Sequence, residues 1–287
     1  MSANPLYRYS PITERPPVAL PGGAALAFWL GINVEHFEYG VPSTSLAAAT
    51  SGFVPDPLNH GWRDYGTRVG IWRTIELLDE LGMPATMIVN AAVCAEYPQI
   101  VRAGVERGWA FVAHGWTNSH FHTGLDEPAE RAELCRVTET IADATGRAPV
   151  GWLGPGMTET GRTPELLREL GYLYVLDWCA DDQPFATRVP GLLSVPYAAE
   201  LNDSVAIKGQ GHSAEAFGQM IRDQCEVLRT EGRTRARVMA LGLHPFVTGV
   251  PFRHLHLAAA LRHVAVAAGV WRTTSDAIAE YWSGQLA

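Results

Sequence analysis

The sequence predicts an α/β fold, a (β/α) barrel of seven or eight strands. Short apolar runs alternate along the chain with longer amphipathic helical patterns, which is typical of βα units and a mostly parallel sheet. Seven or eight such units fit within roughly 260 residues, as a barrel requires. A doubly wound open sheet is the second choice, because residues 31–35 read Gly-Ile-Asn-Val-Glu and supply no Gly-x-Gly-x-x-Gly turn after the first strand.

The apolar and amphipathic periods locate the individual elements. Strands are expected in the short apolar runs at residues 24–34, 85–90, 110–114, 151–153, 173–176, 193–196, 238–244 and 270–273. Helices are expected in the amphipathic stretches at residues 68–81, 95–107, 128–145, 164–170, 214–230, 254–268 and 275–282. Residues 36–64, which contain three prolines, are expected to form a long irregular loop of the kind that often lines a functional site.

Length and composition predict one large domain at residues 24–287, preceded by an N-terminal arm at residues 1–23. Hydrophobic residues make up 47% of the 287 residues, which is enough for a sizeable core, and no linker divides the chain. The arm is polar and rich in proline, without the basic and apolar regions of a signal peptide. No apolar run reaches the length of about 18 residues that indicates a membrane span. We therefore expect a soluble protein that is not exported.

The charge balance argues against a polyanionic partner. The chain has 22 Lys and Arg residues and 30 Asp and Glu residues, for a net charge of -8. This balance disfavours nucleic acid and an acidic membrane surface, and it allows a small neutral or weakly charged substrate. The four cysteines are scattered without a Cys-x-x-Cys pair, which indicates reduced thiols and a cytoplasmic location.

Polar side chains stand at the carboxyl ends of five expected strands. At a single strand end, such a residue is as often a cap or a satisfied core group as a functional one. Five strands that end this way indicate a site at one mouth of the barrel. The residues, in chain order, are Asn33, Glu35, His114, Asp177, Asp181, Asp182, Tyr197, Asn202, Asp203 and His244.

Four segments carry a resemblance to a known family: residues 32–35, 63–70, 195–197 with 202–203, and 241–244. They read Ile-Asn-Val-Glu, Arg-Asp-Tyr-Gly-Thr-Arg-Val-Gly, Val-Pro-Tyr with Asn-Asp, and Leu-Gly-Leu-His. In this order they resemble the polysaccharide deacetylase superfamily, also called the NodB-homology or carbohydrate esterase family 4 group. The chain is more similar to the branch of metal-independent allantoinases and cyclic imide hydrolases than to the secreted chitin and peptidoglycan deacetylases. The resemblance implies a distorted (β/α) barrel of the NodB-homology type and suggests a homo-oligomer.

The resemblance also implies a metal site that this chain has partly lost. Metal-dependent members have two aspartates after the first strand, a base and a ligand, where this chain has Asn33 and Glu35. Asn33 cannot accept a proton. Their other ligands are two histidines four residues apart, but His114 is followed by Asn118, whose amide is a poor zinc ligand. We expect no cofactor; the alternative is Zn²⁺ held by Glu35 and His114.

The catalytic residues are expected to be His244, Glu35, His114 and Asn33. His244 matches the late histidine that serves the family as general acid, and a neutral imidazole near its ordinary pKa can exchange a proton at working pH. Glu35 with His114 would polarise the water, while Asn33 or a backbone N–H would hold the carbonyl oxygen. Contacts with the substrate are expected from Arg63, Trp116, Asn118, Trp152, Asp182, Tyr197 and Asn202.

Several of these residues have a second interpretation. His114 taken alone could be an ordinary buried histidine bonded to the backbone. Asp181 and Asp182 either cap a turn or orient His244 and raise its pKa, and the sequence does not decide between the two. His120 and His122 are kept as unusual metal ligands.

Taken together, these residues predict a hydrolase that acts on a non-peptide C–N bond of a small amide, cyclic imide or ureide. The long loop beside the barrel mouth favours a roofed pocket that accepts a compact ring. A metal-dependent N-deacetylase of a polysaccharide or amino sugar is the first alternative, and it predicts bound zinc and a long open groove. A non-catalytic binding module on the same fold is the second.

Overall fold

The computed structural model describes residues 4–42 and 46–286, which form a curled sheet covered by helices. Nine strands lie within this part of the chain: β1 Leu26–Val34, β2 Thr86–Val89, β3 Ala110–Ala113, β4 Gly151–Trp152, β5 Tyr174–Val175, β6 Phe185–Ala186, β7 Leu193–Ser194, β8 Arg237–Leu243 and β9 Val270–Thr273. Their order is β6-β7-β5-β4-β3-β2-β1-β8, and β9 also pairs with β1. All pairs are parallel except β6 with β7.

The sheet is centred on β1, which pairs with β2, β8 and β9. All nine residues of β1 are buried, as a parallel strand covered on both faces must be. The register places Val34 beside Val89, and Val89 beside Ala113. Polar residues that follow these strands therefore emerge at one edge of the sheet.

The barrel is distorted, and its closure depends on loop backbone. Strands β4 to β7 have only two residues each, so they leave a gap beside β8. The loop after β7 fills part of this gap through a bridge between Asn202 and Gly242. Val238 N donates to Asp182 O at 2.8 Å on the same side. The prediction of a distorted (β/α) barrel is confirmed.

Helices cover the outer face of the sheet. In the described part of the chain they are α1 Pro57–Tyr65, α2 Ile71–Leu81, α3 Ala92–Glu96, α4 Pro98–Glu106, α5 Glu127–Thr145, α6 Thr163–Glu169, α7 Ala214–Glu231, α8 Pro245–Thr248, α9 Pro251–Val266 and α10 Ser275–Leu286. There are also two π-helical turns: Gly66–Gly70 joins α1 to α2, and Ser204–Gly209 lies between β7 and α7. None of the described helices has the length and apolar character that crossing a membrane requires.

Two predictions about local structure are wrong. The loop expected at 36–64 contains helix α1, which begins where the Asp56 side chain accepts from Asn59 N at 3.1 Å and Pro57 fixes the first helical residue. The single helix expected at 95–107 is two helices, because Pro98 disfavours the helical conformation at Tyr97, which has φ of -134°. Strand β6 was not predicted.

The arm before β1 packs on the barrel. Leu6 and Leu20 are buried, and the Tyr7 ring meets Trp178 edge-on with centroids 5.7 Å apart. Arg15 forms an ion pair with Asp181 at 2.5 Å. This ion pair joins the arm to the loop that follows β5.

Candidate active site

Glu35 lies between two histidines at the carboxyl edge of the sheet. Its Oε1 is 3.7 Å from His114 Nε2 and 3.5 Å from His244 Nε2. The three residues follow β1, β3 and β8, so the parallel register brings them together. All three side chains are at least nine-tenths buried. A carboxylate flanked by two imidazoles can bind water and exchange protons.

His244 is held by Asp203, which lies just before the second π-helical turn. Its Nδ1 is 2.7 Å from Asp203 Oδ1, and its backbone N donates to both carboxylate oxygens at 2.8 and 3.0 Å. Thr248 Oγ1 donates to Oδ2 of the same carboxylate at 2.6 Å. A carboxylate can only accept, so Nδ1 carries a hydrogen and Nε2 faces Glu35.

The charge states of His244 and Glu35 follow from the groups around them. Burial alone lowers the pKa of His244, but the carboxylates of Glu35 and Asp203 outweigh it and raise the pKa to about 10. Burial likewise opposes ionisation of Glu35, yet the imidazolium of His244 outweighs it and holds the pKa of Glu35 well below the usual range. His244 is therefore an imidazolium at neutral pH. This corrects the expectation of a neutral ring near its ordinary pKa.

Neither aspartate considered from the sequence orients His244. Asp181 pairs with Arg15, and Asp182 Oδ2 lies 4.0 Å from Arg237 Nε. Both aspartates line a different cavity, beside the N-terminal arm. The orienting residue is Asp203, and its position beside Asn202 in a segment that carries the family resemblance was the available signal.

His114 has a fixed tautomer. Its Nδ1 lies 2.7 Å from Leu153 O, and a carbonyl oxygen can only accept, so Nδ1 carries the hydrogen. In the neutral ring, Nε2 then has a lone pair directed toward Glu35. A water bound near these two atoms would face a carboxylate oxygen and a free imidazole nitrogen.

Tyr197 is the central residue of a second polar group in the pocket. Its hydroxyl oxygen accepts from Asn33 Nδ2 at 3.0 Å and from Asn202 Nδ2 at 3.2 Å. The second hydrogen of Asn33 Nδ2 goes to Leu243 O at 3.2 Å, so Asn33 has none left for a substrate oxygen. Asn33 therefore supports Tyr197 in this structure, and the expectation that Asn33 or a backbone N–H holds the carbonyl oxygen stays a prediction.

The side chains of these residues enclose a cavity of about 390 Å³. Its polar lining includes every catalytic residue expected from the sequence, together with Arg63, Asn118, Tyr197 and Asn202. Apolar walls come from Phe37, Phe121, Leu153, Met157 and Phe246. Arg63 lies over the Phe37 ring, with its Cζ 3.1 Å from the ring centroid. Lys208 also lines the cavity, and sequence reasoning missed it.

Two glycines explain how the turn after Arg63 packs against the chain that follows His244. A Cβ atom on Gly70 would lie 2.1 Å from Pro245 O, and one on Gly66 would lie 2.7 Å from Phe246 N. Since no side chain fits at either position, the turn after α1 packs directly on the chain that follows His244. The 63–70 segment thus places a guanidinium at the wall of the cavity.

Three residues expected to contact the substrate do not line this cavity. Trp152 is fully buried, and its ring packs between His122 and Tyr172. Trp116 is covered by Arg136, whose Cζ lies 3.2 Å from the ring centroid. Asp182 lines the cavity beside the N-terminal arm. These expectations are wrong because proximity to a strand end along the chain does not fix the direction of a side chain.

The donor atoms do not fit a three-ligand catalytic metal. Asn118 Oδ1 already accepts from Asn90 Nδ2 at 3.2 Å, and an amide oxygen is a poor zinc ligand. His120 is exposed and pairs with Glu38 at 3.1 Å, while His122 is buried behind Trp152. Among the described residues, no group of three or more His, Cys, Asp or Glu side chains is arranged to hold a metal ion.

Comparison with known proteins gives concordant results. Residues 63–175 match the family model for polysaccharide deacetylase. The chain is 29% identical over 243 residues to a protein of Schizosaccharomyces pombe (strain 972 / ATCC 24843) that is named as a polysaccharide deacetylase, with 77% of this chain and 75% of that protein covered.

Two solved structures are similar over almost the full chain. The crystal structure of Puue allantoinase has a TM-score of 0.85 and 26% identity, with 95% of each chain covered. A probable polysaccharide deacetylase from Pseudomonas aeruginosa PAO1 has a TM-score of 0.84 and 26% identity, with 94% of this chain and 95% of that chain covered. Fold, motif order and family model agree, and all three show that the chain is similar to the polysaccharide deacetylase superfamily of hydrolases.

Proposed function

We propose that the protein hydrolyses a non-peptide C–N bond of a small cyclic imide, ureide or related amide without a metal ion. The observation that carries the proposal is the Glu35 carboxylate between His114 and the imidazolium of His244, at a position where the third ligand of a metal site is replaced by Asn118. The likeness to Puue allantoinase supports the ring substrate.

The attacking water is assigned to the space between Glu35 and His114. Glu35 stays ionised and accepts one hydrogen bond from the water, which orients it. His114 Nε2 has the lone pair and takes the proton as the oxygen attacks the carbonyl carbon. Leu153 O fixes the ring by accepting from Nδ1 at 2.7 Å, so the base is held in one orientation.

Tyr197 is the donor that we assign to the oxyanion. Burial raises the pKa of its hydroxyl, so the hydroxyl keeps its hydrogen at working pH. Its oxygen already accepts from Asn33 and Asn202, which leaves the hydrogen for a third partner. The present acceptor is Asn33 Oδ1 at 3.4 Å, a long contact that a negatively charged substrate oxygen would replace.

His244 completes the reaction by protonating the leaving nitrogen. When the tetrahedral intermediate collapses, the C–N bond breaks and the nitrogen takes the proton from His244 Nε2. The proton that His114 took from water then returns to His244 through solvent or product. Asp203 keeps Nδ1 protonated throughout, so Nε2 alone exchanges the proton.

A substrate panel with metal analysis tests the proposal. The protein purified without added metal is assayed with succinimide, hydantoin, allantoin and tetra-N-acetylchitotetraose, each with and without a chelator. We expect turnover of at least one ring compound, no acetate from the oligosaccharide, no effect of the chelator and no stoichiometric transition metal.

A metal-dependent N-deacetylase is the second candidate, favoured by the name of the Schizosaccharomyces pombe relative. Acetate release from the oligosaccharide with all rings untouched, together with activity lost to the chelator, would establish it and overturn the proposal. No turnover of any compound despite ring binding would indicate a non-catalytic module.

A further inference from the structure

Lys208 is the only lysine in the chain. The 22 basic Lys and Arg residues are otherwise all arginine. This lysine lies in the π-helical turn Ser204–Gly209, five residues after Asp203. Its side chain lines the cavity that contains Glu35 and His244. The one lysine of the chain therefore lines the candidate active site.

No carboxylate of the described residues contacts the ammonium group of Lys208. Its Nζ lies 4.7 Å from the centroid of the Trp62 ring, but it forms no hydrogen bond or ion pair with any residue of 4–42 or 46–286. The side chain is half-buried, and burial followed by repulsion from Arg63 lowers its pKa, although the carboxylates of Glu35 and Asp203 act in the opposite direction. A partly desolvated cation without a carboxylate in contact has unfavourable electrostatics, which a bound anion relieves.

The other charges that line this cavity are already opposed. Glu35 is the one carboxylate among its described lining residues, and the imidazolium of His244 pairs with it at 3.5 Å. Asp203 supports His244 from behind. Arg63 has Glu35 on one side and Asp56 in the neighbouring cavity on the other. Lys208 is a cation of this lining that no described carboxylate contacts, and a negative charge on the ligand would supply such a contact.

We infer that Lys208 forms an anion subsite, and that the natural substrate is an amide or cyclic amide that carries a carboxylate group. The reaction class in this inference rests on the proposed function, whereas the negative charge rests on Lys208 and the cavity lining. A carboxylate is a monoanion, and the cavity of about 390 Å³ has room for a small ring with such a substituent. The subsite would select substrates through binding, because the carboxylate does not take part in bond cleavage.

The inference is tested with a pair of substrates that differ in one charge. Hydantoin-5-acetic acid and its methyl ester have nearly the same shape, and only the acid is anionic at neutral pH. We expect the wild-type protein to favour the acid by ~10-fold or more in kcat/KM, the size of a partly desolvated ion pair. The preference should fall as salt is added.

Three variants assign the preference to this side chain. Lys208→Met keeps an unbranched stem but removes the charge, so KM for the acid should rise ~10-fold to 100-fold and the preference for the acid over the ester should be lost. Lys208→Arg should retain the preference for the acid. Arg222→Met removes one positive charge from helix α7, outside the cavity, and should leave both substrates unaffected. Equal loss on acid and ester in Lys208→Met would show that the lysine acts only by packing on Trp62.

A binding measurement separates the subsite from the reaction. Reductive ¹³C-methylation labels the ε-amine of the sole lysine and the terminal α-amine, and the two resonances are distinguished in Lys208→Arg. We expect the ε resonance to shift with hydantoin-5-acetate and not with the ester. A shift without turnover of any ring would overturn the proposed reaction and keep the subsite. Turnover of neutral rings, with neither a shift nor a preference for the acid, would overturn the subsite and keep the reaction.

Discussion

Two buried histidines at the same end of the barrel have opposite charge states. His244 follows β8 and has carboxylates within 4 Å of both ring nitrogens. His122 lies in the loop after β3, packed on Trp152 with ring centroids 5.2 Å apart, and neither nitrogen has a hydrogen-bond partner in the described structure. The pKa of His244 is raised to about 10, whereas burial lowers the pKa of His122 to about 4.

The comparison shows that burial alone does not make a functional histidine. Desolvation disfavours the imidazolium at both positions, so what differs is the carboxylates in contact with the ring. The nearest carboxylate to His122 is Glu130, at 3.9 Å, and its oxygens already accept from Thr160 and Thr163. His244 therefore holds a proton at neutral pH, and His122 behaves as a polar group enclosed by the core.

The largest expected effect comes from removing the charged histidine. His244→Ala should fold normally and lose ~10² to 10⁴ in kcat, the usual contribution of a general acid. His212→Ala, at an exposed histidine outside the cavity, is the matched control and should retain full activity. Turnover near the wild-type level by a folded His244→Ala protein would show that His244, like His122, has only a structural role in the core.

A smaller effect is expected from changing the carboxylate that supports His244. Asp203→Asn keeps the size of the side chain but removes one of the two negative charges that raise the pKa of His244. The midpoint of the alkaline limb of kcat against pH should fall by about 1 to 3 units from its wild-type position near the pKa of about 10. An unchanged midpoint would show that Asp203 only positions the ring.

The smallest effect is expected at His122, and it concerns stability. Its folded-state pKa of about 4 lies below the ordinary value of 6.5, so the unfolded chain takes up a proton in this range that the folded protein does not. Stability at this site is therefore lost as the pH falls from about 6.5 to 4, by at most about 3 kcal/mol. His122→Phe should remove that loss and keep activity.

Thermal unfolding at pH 7.5 and pH 5 measures this difference. The melting temperature of the wild-type protein should fall more between the two pH values than that of His122→Phe. His244 has the opposite sign, because its raised pKa gives stability that is complete below pH 6.5 and is lost as the pH rises through about 10. An equal acid response in wild type and His122→Phe would show that His122 is solvated or paired.

Much of the fold and part of the site could be predicted from the sequence. Apolar runs and helical periods located eight of the nine described strands and most helices. Parallel strands that are buried on both faces require a nearly continuous apolar sequence, which is easy to recognise. The order of polar residues after the strands indicated which would meet, and the register brings Asn33, Glu35, His114 and His244 together. The short strand β6 and helix α1 lacked such a pattern.

The sequence by itself determined that a carboxylate and two histidines follow three strands of the sheet, since position along a parallel strand fixes the edge at which a residue emerges. Only the tertiary structure decided which carboxylate supports His244, which tryptophans face away from the cavity, and that Lys208 faces into it. These outcomes depend on the directions of loop side chains and on the charges packed around them. Such features arise from contacts between distant segments, and the local sequence does not encode them.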